Sequence, residues 1–266
     1  MDQFSHGLTS MRKRQKFVLT AIALSFGVWF VQSASLEWKY GLIALLVVLN
    51  WVLAVWSLRE GLAGVEWLTV TIPAPLFTAA VGLFYILLPQ ALWAKILIVG
   101  LFGVGQYALL LTANIFSVAA IRTIALLRAA HAVSFVMTLL TGFFLYNTIL
   151  SFRFGFWWVG LLVSAASAFL MLPGLWSVDL PEKLTARIWL FSLVLAMWSG
   201  ILAMAICFWP VSTAVGSLFL TTVLYVFLGL AQHYFSQKLF AKTVWEYVTV
   251  GIVVLITMLT TSSWGV

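Results

Sequence analysis

Residues 68–90 read LTVTIPAPLFTAAVGLFYILLPQ, an uncharged apolar run interrupted by Pro73 and Pro75 and closed by Pro89. A helix confined to Pro75–Leu88 rises only about 21 Å at ~1.5 Å per residue, short of the ~30 Å hydrocarbon core of a bilayer. Begun at Glu66, the same helix reaches about 35 Å and crosses comfortably. The run therefore reads as one spanning helix from Glu66 to Leu88, with Trp67 at the inner headgroups and Pro89 as its stop. Pro73 and Pro75 then fall inside it. Their missing N–H groups and ring clashes predict a kink in its cytoplasmic half, with Thr69, Thr71 and neighbouring helices satisfying the freed carbonyls. The alternative is a helix broken around a binding site.

Composition decides what solvent such a run is made for. The 266 residues are 64% hydrophobic and 8% charged, against about a quarter charged in a soluble domain. So few charges cannot cover a water-facing surface, and the chain reads as a polytopic membrane protein. The net charge of +7 needs no nucleic acid, because Lys and Arg accumulate in cytoplasmic loops. The single cysteine, Cys207, excludes a disulfide framework within the chain and a cysteine-based metal cluster.

Apolar runs at roughly 17–34, 41–57, 66–88, 91–116, 126–149, 155–175, 187–208, 212–232 and 245–262 predict an all-α integral membrane bundle of about nine transmembrane helices. Strands are excluded by the lack of alternation, and lone strands leave backbone groups unpaired in lipid. A basic cytoplasmic segment, 1–16, precedes one transmembrane helical domain, 17–266. The first run ends near QSAS, as a cleavable signal peptide does, but its length and the spans that follow at once favour an uncleaved helix. With the amino terminus in the cytoplasm, only Lys39, Lys95 and Arg153 of the 14 Lys+Arg fall outside. That asymmetry orients the chain and leaves the carboxyl terminus outside. Most tryptophans sit near span ends, where the ring stays in fat and the indole N–H is wet; Trp51 and Trp198 are mid-span.

Small residues recur at every fourth position: Gly160, Ser164 and Ala168; Ser192, Ala196 and Gly200; Ser199, Ala203 and Cys207. Each row shares a helix face and predicts close helix packing. PLFTAAVGLF (75–84) and PVSTAVGSLF (210–219) echo one another on spans of opposite direction, the arrangement of an inverted repeat.

Candidates for chemistry are few. No Asp or Glu falls mid-span, which argues against a proton-coupled pump. His6, His131 and His233 have no second ligand at metal spacing, and no phosphate loop or nucleophile elbow occurs. Neither metal nor cofactor is expected. His233, Glu246 and Tyr247 gather at the cytoplasmic face, either as a catalytic set or as a hydrated interfacial loop. Arg122, Arg128 and His131 form a basic segment suited to anionic lipid headgroups. Asn50, Gln106 and Asn114 are polar within spans; they serve as glue between helices or line a solute path.

The stretch WPVSTAVGSLFLTTVLYVFLGLAQHYFSQKLFAKTVWEYVTVGIVV (209–254), with IPAPLFTAAVGLFYILLP (72–89), resembles an uncharacterised family of multi-pass proteins from small-genome candidate-phylum bacteria, a domain of unknown function. The resemblance implies a bacterial inner-membrane protein and carries no functional residue. Three roles follow as expectations. The first is a non-enzymatic structural, assembly or scaffolding subunit, with a membrane-protein partner. The alternatives are a transporter or channel component for a neutral or hydrophobic solute, and a lipid-modifying enzyme.

Overall fold

The computed structural model describes residues 13–59, 69–88, 91–119, 126–181 and 183–262. Among them the chain is helical throughout: α1 (Lys13–Ser33), α2 (Leu36–Leu58), α3 (Pro73–Ile86), α4 (Leu92–Ala119), α5 (Leu127–Ser151), α6 (Phe156–Asp179), α7 (Ala186–Ile206), α8 (Thr213–Phe235) and α9 (Ala241–Thr260). Eight are long and apolar enough to cross a membrane; α3 alone is short. In lipid a helix satisfies its own backbone groups, so an apolar sequence folds this way without any amphipathic pattern. The protein is a multi-pass membrane helix bundle.

The third span departs from expectation. A continuous helix kinked at the prolines does not form: residues 70–72 form a turn and bend, and α3 begins at Pro73 with proline in its first turn. The physical reason is positional. First-turn N–H groups have no intrahelical partner, so proline costs little there and its fixed φ suits a helix start. Leu76 makes the first backbone bond, to the Ile72 carbonyl. Pro73 and Pro75 thus remove two donors that a buried helix start would otherwise leave unsatisfied. Glu66 and Trp67 lie outside the described residues.

Helix α6 carries a proline in its interior, Pro173. It leaves the Phe169 carbonyl without its usual i+4 N–H partner. The helix ends at Leu180, whose left-handed backbone (φ 47°, ψ 49°) sends its N–H to the Trp176 carbonyl. The Trp176 indole N–H donates to the Pro181 carbonyl at 3.1 Å.

The chain divides into two compact units at Val133/Ser134. In the first, α1 packs on α2 and α4, and α3 lies against α2 and α4, with the Phe77 and Phe102 rings stacked at 5.6 Å. Lys16 sits over the Trp56 ring at one end of α1, and Lys95 over Trp29 at the other. In the second, α6 and α7 form the most extensive helix pair, and α8 packs on α6, α7 and α9. The small-residue rows explain the tight pair. A Cβ at Gly200 would land on Ser164 Oγ and stand 2.5 Å from the Gly160 carbonyl, while one at Gly160 would meet Met204. Ser192, Ala196, Ser199 and Ala203 are buried on the same face of α7, whereas Cys207 is exposed. Helix α9 is the least enclosed, with Met258 as its one buried residue.

Candidate functional site

The densest set of buried polar side chains in the first unit surrounds the start of α3. Asn50, from the middle of α2, donates through Nδ2 to the Ala74 carbonyl at 2.9 Å and to Thr78 Oγ1 at 2.6 Å. Gln106, from α4, donates through Nε2 to Asn50 Oδ1 at 2.8 Å. All three side chains, Asn50, Thr78 and Gln106, are fully buried. Trp51 Nε1 reaches Thr71 Oγ1 at 3.3 Å in the turn preceding α3. A buried amide without a partner costs far more than a paired one returns, so three helices are fixed in register wherever this network closes. Gln106 Oε1 is the one acceptor of the set without a hydrogen bond.

The second unit is tied in the same manner. Tyr146 of α5 and Ser167 of α6 share a hydrogen bond of 2.8 Å, and Asn147 donates to Ser217 Oγ of α8 at 3.1 Å. Gln232 of α8 donates to the Gly174 carbonyl at 2.9 Å, one residue past the interior proline. Thr78, Tyr146, Ser167 and Gln232 were not singled out by sequence. A hydroxyl in an apolar helix usually bonds its own i−4 carbonyl, and nothing in the chain marks which ones also reach a neighbour.

The remaining candidates are placed as follows. Arg122 lies outside the described residues; Arg128 is exposed at the start of α5. The His131 ring packs against Phe116 at 5.2 Å. Asn114 is half-buried on α4. His233 is held by its Nδ1 at 2.8 Å from the Gly229 carbonyl. Its ring contact is with Tyr247 at 5.6 Å, and Tyr247 packs in turn on Tyr225 at 4.8 Å. Glu246 is exposed. His233, Tyr247 and Tyr225 thus form an aromatic clasp between α8 and α9, with Tyr247 lying on Gly229 where a Cβ would not fit. The two echoing decapeptides occupy unlike settings: Pro75 and Thr78 lie inside α3, while Pro210 precedes α8 and Thr213 begins it. Among the described residues no group of three or more His, Cys, Asp or Glu side chains is placed to hold a metal.

No family model, curated protein or solved structure matches the chain.

Proposed function

We propose that this chain is a non-enzymatic scaffolding or assembly subunit of the bacterial cytoplasmic membrane, with its amino terminus inside and its carboxyl terminus outside. The observation that carries the reading is how the polar side chains within the helices are employed. Asn50, Gln106, Thr78, Asn147 and Gln232 hold helix to helix, which is work that fixes a shape rather than lines a path. The distribution of Lys and Arg supports the orientation. Arg128 and the basic amino-terminal segment suit anionic headgroups at the inner face, and α9, nearly unenclosed, is the helix most open to a membrane partner. The test is native electrophoresis of the tagged chain from gently solubilised membranes. A scaffold runs in a particle well above its own 29.5 kDa plus detergent, and truncation after Lys238 releases it. A chain that runs alone in both forms sinks the reading.

A second reading has one observation in its favour. The interrupted third span, a turn at 70–72 followed by the short α3, resembles the discontinuous helices of carriers for small solutes. Against it, the prolines strip donors from that helix start and Asn50 occupies its first-turn carbonyl. Solute flux into proteoliposomes containing only this chain would favour transport over scaffolding.

A further inference from the structure

Helices α1 and α4 touch where Gly103 backs onto Ser25; a Cβ there would lie 2.7 Å from Ser25 Oγ. Around that contact they part to leave an apolar cleft of about 460 Å³, running from Val18 and Tyr107 at one end to Trp29 and Gly100 at the other. Its length along α1, Val18 to Trp29, is about 17 Å, more than the ~15 Å of one bilayer leaflet, so an acyl chain entering at the Trp29 end has apolar wall past the midplane. The Trp29 end carries a cation. Lys95 Nζ lies 4.3 Å from the centre of the Trp29 ring and donates to Ser33 Oγ at 2.6 Å. An ammonium has three donors, and among the described residues no carboxylate neutralises this one. The indole and the hydroxyl hold it at the cleft's mouth.

An apolar slot with an ammonium held beside its Trp29 end suits an amphiphile that carries an apolar chain and an anionic headgroup. We propose that this cleft is a binding site for an anionic phospholipid, with one acyl chain lying between α1 and α4 and the headgroup phosphate on Lys95. Trp29 contributes twice, as a wall of the slot and as the surface that positions the lysine. The site is independent of the scaffolding reading and would stand if that reading failed.

Native mass spectrometry of the purified chain tests it, with phosphatidylglycerol and phosphatidylcholine of identical acyl chains as probes. The wild type should retain one phosphatidylglycerol in preference to phosphatidylcholine. Lys95→Gln should weaken that retention about fivefold and abolish the preference. Gly100→Phe, at a cleft position where a Cβ meets nothing within 4 Å, should fill the slot and exclude both lipids. Gly41→Phe, at an equally open helical position off the cleft, should change nothing. Equal retention of the two lipids by the wild type overturns the proposal without reliance on any variant. So does unaltered binding in Lys95→Gln and Gly100→Phe, or a dimer that Gly100→Phe dissolves, which would assign the cleft to a second copy of the chain.

Discussion

Replacing Gly200 by alanine should separate α6 from α7. The added Cβ would overlap Ser164 Oγ, which can rotate away, but it would also stand 2.5 Å from the Gly160 carbonyl oxygen, which cannot. Ordinary contact begins at 3.4 Å, so the helices must part locally by the difference, 0.9 Å, along the face that buries Ser192, Ala196, Ser199 and Ala203. Forcing a methyl into a packed core costs about 1–3 kcal/mol, and removing a helical glycine returns at most ~1 kcal/mol. The expected net loss is about 1 kcal/mol, rising to ~3 kcal/mol for Gly200→Leu. Gly100→Ala and Gly41→Ala, whose new Cβ atoms meet nothing within 4 Å, should cost nothing. Unfolding by SDS titration in mixed micelles, followed by circular dichroism, measures all four. If Gly200→Ala is as stable as Gly100→Ala, the backbones of α6 and α7 do not meet at Gly160, and the account of this helix pair is wrong.

Other perturbations read other parts of the molecule. In a double-mutant cycle of Asn50→Leu and Gln106→Leu, the coupling should be about 0.6 kcal/mol and no more than ~1.7 kcal/mol, the mean and maximum for interhelical hydrogen bonds in membranes; zero coupling would mean the two amides do not bond. Pro75→Ala should destabilise, because it restores an N–H at a buried helix start without a partner; a stabilised variant would instead support a strained mid-helix proline. Gln237 is exposed and left-handed (φ 55°), so Gln237→Gly should gain about 1 kcal/mol in the same SDS titration. Gly229→Val should push the Tyr247 ring off α8 and loosen α9, seen as faster labelling of a cysteine placed at Met258 in an otherwise cysteine-free background.

Transfer free energy made the eight long helices legible: their ends fall within five residues of the apolar runs because lipid leaves a chain little other choice. The start of α3 was not legible, since whether Pro73 ends a turn or bends a helix depends on where Asn50 and Gln106 reach, and those contacts join residues far apart in the chain. Pro173 was overlooked for a related reason. Hydropathy placed it near the end of its span, whereas the helix continues to Asp179 and receives Gln232 just beyond the proline. Asn50 and Gln106 stood out as polar in apolar surroundings, but their geometry could not be had from sequence, because an amide announces that it needs a partner without saying which.

The short α3 also bears on the order of biosynthesis. Its neighbours are each long enough to leave the translocation channel for lipid unaided; a segment of 14 residues is not. The side chain that holds its carbonyl, Asn50, is made before it, and the one that orients Asn50, Gln106, is made after. Until α4 has been synthesised, α3 has only half of its clamp. For the time the ribosome takes to pass from Ile86 to Gln106 and beyond, α3 is held within this network by Asn50 and not yet by the amide that orients it.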